Sequence, residues 1–435
     1  MQRGPTTEVS GKDMDPASAS SRTQAWAASI ARQASFSRGY SPLYAAILDC
    51  LAGWLRESEG RERREGHDPR VGLLRGRFWT FVSARAWDND LEPILKLAAT
   101  LHSHVLRGDP RVAGLRPYYR TVTPDGPMPD EPAFAGELLT ALDRLGEDLL
   151  AHAHSWEIQT NETARGVLWL VPAALLQIEA AYLVELGASA GLNLLADHRG
   201  FSLRWPEGPH FKLGHAAPAQ FEIACEGLSA GLSDGLPEGT PEGPCVLAPP
   251  EILGRVGADA RLIDLDAPAA ETELAACIWG DQPQRMQRLQ EGLELRRRFR
   301  GTPQAARLMR ANLPDETEEF LGAAVPAQPV APVILFDTYV TAYFNDVDHR
   351  ALIRAVEAFA RSWTLRHKLP WLWVRFEPPR AGEPPAPQVG WCRWWVEVWT
   401  QNGRRSIELG WGHPHCVRLA FGPGIAELAG LRGPE

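Results

Sequence analysis

Apolar residues recur every three to four positions through much of the first third of the chain, which is the spacing of amphipathic helices. Ser41-Pro42 marks one helix start, because serine is a favoured N-cap and proline suits the first helical position. The spacing predicts helices over residues 42–54, 91–106 and 132–154.

The chain that precedes these helices has a different character. Residues 1–22 are polar and rich in Ser, Thr and Pro, without the apolar segment of a signal peptide. We expect a disordered tail over 1–22, with Met14 as an alternative start to Met1, and a helical N-terminal domain over 23–158.

The second half of the chain alternates short apolar runs with helical patterns, as expected of a sheet with buried parallel strands. Asn402-Gly403 lies between two strand-like runs and indicates a terminal hairpin. The predicted strands cover 182–186, 330–336 and 371–376, and the predicted helices cover 271–299 and 348–363.

Together these elements predict an α/β domain over residues 159–435. Its sheet is expected to be mostly parallel, with an antiparallel hairpin at the C-terminal end. Residues 200–250 are rich in turns and short strand-like runs, and we predict that they form an insertion.

Composition narrows the classes of partner. The 435 residues are 44% hydrophobic and carry a net charge of −9, which disfavours broad binding of nucleic acid. The longest apolar stretch, 167–186, is interrupted by Pro172 and Glu179, so we expect no membrane span. The six cysteines include no C-x-x-C pair, which disfavours a metal or dithiol site and favours a reducing, cytoplasmic setting.

The segment from Glu185 to Asn193 carries the strongest candidate chemistry. An apolar run ends in Glu185, and a loop of small residues with two glycines leads into a helical pattern. Glycine tolerates positive φ and lets the backbone approach a ligand, and the first amides of a helix can bind polar groups. The expected ligand-binding residues are Glu185, Gly187, Ala188, Ser189, Gly191 and Asn193.

This loop favours S-adenosylmethionine as the ligand. Loops that bind this cofactor follow the pattern acidic-x-Gly-x-Gly-x-Gly, in which Glu185, Gly187 and Gly191 fit and Ser189 takes the middle glycine position. The carboxylate can favour the cationic amino group of the cofactor. A dinucleotide site is disfavoured, because Leu192 stands where glycine or alanine is needed.

The same loop also satisfies the G-x-S-x-G pattern of serine hydrolases. Ser189 would be the nucleophile, with Asp337 as the acid and His413 or His415 as the base, although no H-G-G-type oxyanion segment precedes it. A turn that simply packs closely is a further alternative. The two histidines lack a third metal ligand, so we expect no metal site.

Acidic residues after later strands extend the predicted site. Asp259 and Asp264 are candidates to accept the ribose hydroxyls of the cofactor, provided that 200–250 is an insertion. Asp337 follows the strand at 330–336 and is the candidate general base. Each of these acids is also a common type of turn or helix-cap residue.

A dense polar group precedes the apolar helix that leads to the loop. Asn161 and Glu162 are favourable residues at a helix start, but this does not explain the neighbouring polar residues. We expect four residues to line the same pocket, namely Gln159, Asn161, Glu162 and Arg165.

With these residues in view, the chain resembles a bacterial family known as domain of unknown function 2332. The resemblance implies a methyltransferase-type Rossmann domain behind a helical region. The family usually has histidine in place of Asp337 and His-Gly in place of His415-Cys416, which implies an altered or inactive member if those positions are catalytic. The matching blocks are Ser41–Tyr44, Gln159–Glu162 with Arg165, Glu185–Asn193, Gly257–Asp266, and Trp279 with Gln282 and Arg285.

We therefore expect a Rossmann-like, methyltransferase-type fold and an S-adenosylmethionine-dependent methyltransferase that acts on a small molecule or a protein. Two alternatives stay open. One is a non-catalytic ligand-binding protein of the same fold, and the other is a serine hydrolase that uses Ser189.

Overall fold

A computed structural model describes residues 16–56, 68–83, 92–129, 132–156, 161–215, 221–228 and 245–431. The chain divides into two compact units. Unit 1 comprises Met1–Thr160 and Ala269–Met286, and unit 2 comprises Asn161–Pro268 and Gln287–Glu435. The segment Ala269–Met286, which the sequence pattern placed in the second domain, therefore belongs with the N-terminal helices.

The α-helices of the described residues are α1 (Pro16–Ser37), α2 (Pro42–Arg56), α3 (Pro69–Ser83), α4 (Glu92–Leu106), α5 (Ala133–Ser155), α6 (Val167–Leu175), α7 (Ala270–Ala276), α8 (Pro283–Phe299), α9 (Thr317–Ala324), α10 (Asp346–His367) and α11 (Gly424–Ala429). The strands are β1 (Ala180–Leu186), β2 (Phe201–Arg204), β3 (His210–Leu213), β4 (Phe221–Gly227), β5 (Cys245–Leu247), β6 (Glu251–Asp259), β7 (Arg307–Arg310), β8 (Val333–Thr338), β9 (Trp371–Glu377), β10 (Cys392–Thr400), β11 (Gly403–Gly412) and β12 (Arg418–Phe421).

The helix start predicted at Ser41-Pro42 is confirmed, and a second segment of unit 1 fixes it. The Ser41 hydroxyl accepts the Tyr44 N–H at 3.3 Å and donates to Asp281 at 2.5 Å, while the Leu43 N–H donates to the other Asp281 oxygen at 2.9 Å. Trp279 stacks on Tyr44 with the ring centroids 4.8 Å apart. Two of the family-like sequence blocks therefore serve the packing of unit 1.

Two predictions for the helices are corrected. Residues 16–22 belong to α1 and are not a disordered tail, while residues 1–15 lie outside the described part of the chain. The single helix predicted over 271–299 is two helices, α7 and α8. The turn between them carries Asp281, and Pro283 suits the first position of α8.

Unit 2 is a mixed α/β structure built on a mostly parallel sheet. Among the described residues, twelve strands lie in the order β5-β3-β2-β4-β12-β11-β10-β9-β8-β1-β6-β7. The strands β7, β6, β1, β8 and β9 are parallel, and β10, β11 and β12 follow as antiparallel neighbours. Counted along the chain, the five parallel strands have the order 3-2-1-4-5.

Alternating side chains divide the core of unit 2 between the two faces of the sheet. In β8, Ile334 and Phe336 pack with α6 on one face, whereas Val333 and Leu335 pack with α9 and α10 on the other. Helices therefore cover both faces of the parallel strands. This explains why β1, β8 and β9 have nearly continuous apolar sequences.

The predicted insertion at 200–250 extends the main sheet, because β4 pairs in parallel with β12 and β2 pairs in parallel with β4. The predicted hairpin is confirmed, although its loop is Gln401-Asn402, one residue earlier than expected. The helical pattern at 192–197 forms only a 3-10 turn, Leu192–His198. Of the two acids predicted to bind the ribose, Asp259 is the last residue of a strand, β6, and Asp264 lies beyond it.

Candidate active site

The predicted glycine loop follows β1 at the carboxyl edge of the parallel strands. Gly187, Ser189 and Gly191 have positive φ values of 71°, 51° and 70°. A Cβ at Gly187 would lie 2.4 Å from Val340 Cγ2, and a Cβ at Gly191 would lie 2.8 Å from Leu308 Cδ2. Both glycines are therefore required by backbone conformation and by contact with protein side chains, so they do not by themselves indicate a ligand.

Asp259 holds this loop in place. It is the last residue of β6, and its two carboxylate oxygens accept the Ser189 N–H at 2.8 Å and the Arg261 N–H at 2.9 Å. The Ala188 N–H donates to the Ala258 carbonyl at 2.8 Å. A carboxylate has about four lone-pair positions, so Asp259 can still accept two further hydrogen bonds.

The other predicted ribose acceptor lies elsewhere. Asp264 is exposed, and its carboxylate accepts the Asp266 N–H at 3.0 Å within a surface turn. The structure therefore brings Asp259, and not Asp264, to the glycine loop.

Glu185 is the most unusual group of the site. It lies in β1, is only 3% exposed, and its Oε2 has no hydrogen-bond partner among the described residues. Burial raises the pKa of this carboxyl well above its usual range, and the nearby Asp259 raises it further, while a hydrogen bond with Asn193 and the charge of Arg165 act in the opposite direction.

Asn193 adds a second unsatisfied acceptor beside Glu185. It is 6% exposed, and its Oδ1 lacks a hydrogen-bond partner within the part of the chain that the structure describes. A buried polar atom without a partner is uncommon in native proteins and requires a specific explanation. The two side chains hydrogen-bond each other, and each keeps one unpartnered oxygen that a buried donor could reach.

The polar group before α6 reaches the same strand edge. Glu162 caps the 3-10 turn Thr163–Gly166, the role that the sequence pattern gave to Asn161. The Arg165 guanidinium donates to the Pro414 carbonyl at 2.8 Å and to the Thr338 carbonyl at 3.3 Å. Arg165 thereby joins the end of β8 to the segment that follows β11.

The two remaining residues of this polar group are Asn161, which the structure describes, and Gln159, which it does not. Asn161 is partly buried, and neither its Oδ1 nor its Nδ2 has a hydrogen-bond partner among the described residues, so it is available to a ligand. Gln159 was predicted to line the same pocket but lies outside the described residues.

A histidine–carboxylate pair stands at this edge. His415 Nδ1 lies 2.9 Å from Glu162 Oε2, and Glu162 is 3% exposed. A carboxylate on Nδ1 fixes the ring and directs Nε2 as the other proton-transfer atom. The sequence did not indicate this pair, since 253 positions separate the two residues.

Asp337, the predicted general base, is fully buried. It accepts a hydrogen bond from Trp373 Nε1, and Arg375 Nε lies 3.7 Å from its Oδ1. Burial raises the pKa of Asp337, and burial together with Asp337 raises the pKa of Glu377 to about 8. A general base must reach its substrate, and the acid of a triad must hydrogen-bond the histidine. Asp337 is fully buried, and its partners among the described residues are Trp373, Arg375 and Glu377, so it suits neither role.

Glu377 connects this buried cluster to the glycine loop. Its carboxylate accepts the Val340 N–H at 2.6 Å and the Ala342 N–H at 3.2 Å. Val340 is the residue that lies against Gly187. The cluster therefore fixes the segment that covers the glycine loop, a role that neither apolar periodicity nor motif spacing could indicate.

Two further observations concern metal sites and membrane spans. In the described residues, no group of three or more His, Cys, Asp or Glu side chains is arranged to hold a metal ion. No helix among those residues combines the length and apolar character needed to cross a membrane.

Comparison with known proteins identifies the family. The model of a family described as "Uncharacterized protein conserved in bacteria (DUF2332)" matches residues 27–421. The chain belongs to this family. No curated protein and no solved structure matches the chain.

Proposed function

We propose that unit 2 is a Rossmann-like, methyltransferase-type domain that binds S-adenosylmethionine at the carboxyl ends of β1 and β6. The observation that carries this proposal is the buried, unpartnered Oε2 of Glu185 beside the unpartnered Oδ1 of Asn193. Two acceptors in a dry setting match a cationic donor such as the α-ammonium group of this cofactor.

The sheet topology supports the same position for the ligand. In doubly wound sheets the order 3-2-1-4-5 reverses between the first and fourth parallel strands, and ligands bind at the carboxyl ends beside that point. Here those strands are β1 and β8, and Glu185 of β1 lies opposite Phe336 of β8. The unpartnered oxygens therefore lie where this fold class places its ligands.

The residues present fit the cofactor, with one condition. Glu185 and Asn193 would hold its amino group, and Asp259, fixed by two backbone amides, has lone pairs left for the ribose hydroxyls. Val340 lies against Gly187, so the cofactor requires a shift of the segment after β8 if it is to lie over that glycine.

When bound, the cofactor supplies a methyl group already activated on a sulfonium. The protein then has to orient the acceptor, exclude water and take up a proton. His415 Nε2 is suited to accept that proton, because Glu162 holds Nδ1 and stabilises the charged ring. We propose a small molecule or a protein as the acceptor, and the reducing cytoplasm as the compartment, since all six cysteines are free.

The cofactor assignment is tested by calorimetric titration of the full chain with S-adenosylmethionine. Glu185→Gln keeps the size of the side chain and removes the carboxyl group that a bound cation would ionise, and Asp259→Asn removes the carboxylate at the ribose position. Asp264→Asn is the matched control, because it neutralises an exposed acid of the same polar segment. Substitution of Gly187 is a poor test, since any Cβ would collide with Val340.

We expect micromolar binding that weakens at least about tenfold in Glu185→Gln and Asp259→Asn, since charged hydrogen bonds contribute about 1.5–3 kcal/mol each. Asp264→Asn should bind like the natural protein. Absence of binding by the natural protein would remove the cofactor from the proposal. Binding without methyl transfer to any acceptor would favour the non-catalytic alternative.

A second candidate function, serine hydrolysis, rests on a different observation. Ser189 has a φ of 51° at the centre of G-x-S-x-G directly after a strand, as a nucleophile elbow requires, and the Glu162–His415 pair could supply the acid and base. A fluorophosphonate probe tests this. Labelling that is lost in Ser189→Ala would favour the hydrolase, and unlabelled folded protein would exclude reaction at this serine.

A further inference from the structure

A groove lies at the opposite edge of the parallel strands from the glycine loop. It runs between α10, from Arg354 to Leu365, and the β10–β11 turn, and its volume is about 580 Å³. Trp399, beside that turn, pairs with Trp371, the first residue of β9. The groove is thus at the amino end of the strands and has a volume typical of small-molecule sites.

The groove has an excess of positive charge. Arg354 and Arg361 are exposed on one face of α10, and neither has a hydrogen bond or ion pair to any described residue. They are seven positions apart, which separates them by about 10 Å along the helix. Two unpaired cations beside one cleft stand out in a chain with a net charge of −9.

The third arginine of the groove is already neutralised. Arg404 forms ion pairs of 2.6 Å with both Glu357 and Glu397. The three arginines and these two acids together leave one net positive charge, and the guanidinium donors of Arg354 and Arg361 are left for a ligand.

An unsatisfied hydroxyl lies in the wall of the same groove. Thr364 is 1% exposed, and its Oγ1 has no hydrogen-bond partner in the described chain. A buried threonine in a helix commonly bonds a carbonyl one turn earlier, but this one does not. A rotatable donor therefore remains beside the two arginines.

We propose that this groove binds a small molecule that carries at least two anionic groups, either phosphates or carboxylates. The planar guanidinium forks of Arg354 and Arg361 pair with both kinds of anion in two-pronged geometry. One ligand with separated charges matches two arginines about 10 Å apart. This site is independent of the function proposed for the glycine loop.

The experiment is calorimetric titration of the full chain with two probes, inorganic tripolyphosphate and citrate, at low ionic strength. The test variant is the double substitution Arg354→Gln with Arg361→Gln. The control is Arg350→Gln with Arg366→Gln, which removes the same charge from exposed positions of the same helix outside the groove. Thr364→Val removes the hydroxyl and keeps the side-chain shape.

We expect at least one probe to bind with a Kd below about 1 mM, and the test variant to weaken binding at least about tenfold, the loss of roughly one charged hydrogen bond. Thr364→Val should weaken it by a smaller factor, and the control variant by less than about twofold. The stronger probe identifies phosphate or carboxylate as the anion. Failure of both probes, or equal loss in test and control variants, would overturn the proposal, because equal loss reflects general electrostatic attraction.

Discussion

Glu377→Gln should change how the stability of the protein depends on pH. In the folded protein burial and the adjacent Asp337 raise the pKa of Glu377 to about 8, from an ordinary value of 4.5. Between these two values the folded chain keeps a proton that the unfolded chain has lost. The carboxyl pair therefore stabilises the fold at low pH, and this contribution falls as pH rises towards 8.

The size of the effect follows from the proton linkage. Each pH unit above 4.5 lowers the free energy of unfolding by up to about 1.4 kcal/mol. From pH 4.5 to 7 the loss is about 3 kcal/mol, and it belongs to the Asp337–Glu377 pair as a whole. In Glu377→Gln this loss should disappear, because glutamine does not titrate and Asp337 is left alone beside Arg375.

Urea unfolding followed by tryptophan fluorescence at pH 5, 6, 7 and 8 measures this difference. Unit 2 holds Trp371, Trp373 and Trp394, all fully buried, so its unfolding dominates the signal. Glu427→Gln is the control, since Glu427 is exposed on α11. The linkage would be refuted if Glu377→Gln and the natural protein lost stability in parallel from pH 5 to 8, or if the difference between them had the opposite sign.

Three further predictions concern other buried groups. Glu185→Gln should raise the free energy of unfolding of the ligand-free protein, because the folded state disfavours the charged carboxyl. The gain should grow as pH rises above 4.5. Urea titrations at pH 5 and pH 7 measure it, and a smaller gain at pH 7 would contradict the prediction. Asp197→Asn should lower the free energy of unfolding by about 3–5 kcal/mol, because it leaves Arg255 as an uncompensated buried charge. In the folded protein Arg255 is 1% exposed and lies 2.6 Å from Asp197. Chemical denaturation measures the loss, and a loss under about 1 kcal/mol would show that the pair is not structurally important. Asp281→Asn should lower the stability of unit 1 by about 1–3 kcal/mol, because Asp281 accepts hydrogen bonds from both the Ser41 hydroxyl and the Leu43 N–H. Hydrogen exchange of the α2 amides measures this loss, and unchanged protection would argue against the role of Asp281.

The sequence predicted best those elements whose burial is uniform. β1, β8 and β9 are covered on both faces, so each appears as an unbroken apolar run, and the β10–β11 hairpin follows from a two-residue turn between strands. The position of β2 and β4 in the sheet could not be predicted, because β4 joins it by pairing with β12, which is nearly 200 positions further along the chain, and β2 pairs with β4.

Only those parts of the candidate site that are close together in the sequence could be predicted. The loop Gly187–Gly191 and its acid Glu185 are contiguous, and Asp259 lies at the carboxyl end of β6, the parallel neighbour of β1. The contacts that give those residues their properties are distant in sequence: Val340 on Gly187, and His415 on Glu162. Nothing in the spacing of either motif specifies these partners.

The buried carboxyls at this strand edge fall into two kinds, and the difference indicates where a ligand would bind. Asp337 has a cation beside it, since Arg375 Nε lies 3.7 Å from its Oδ1, and Glu377 accepts the Val340 and Ala342 amides, although Asp337 Oδ2 has no hydrogen-bond partner among the described residues. Glu185 is also buried and has an unpartnered oxygen, but it forms no ion pair with any described residue. A fold gains nothing from an unpaired buried carboxylate, whereas a cationic ligand placed there would recover the cost of burying it. The same edge therefore combines a cluster that holds the Val340 segment in place with an acid that lacks a charged partner, which is the arrangement that the proposed cofactor site requires.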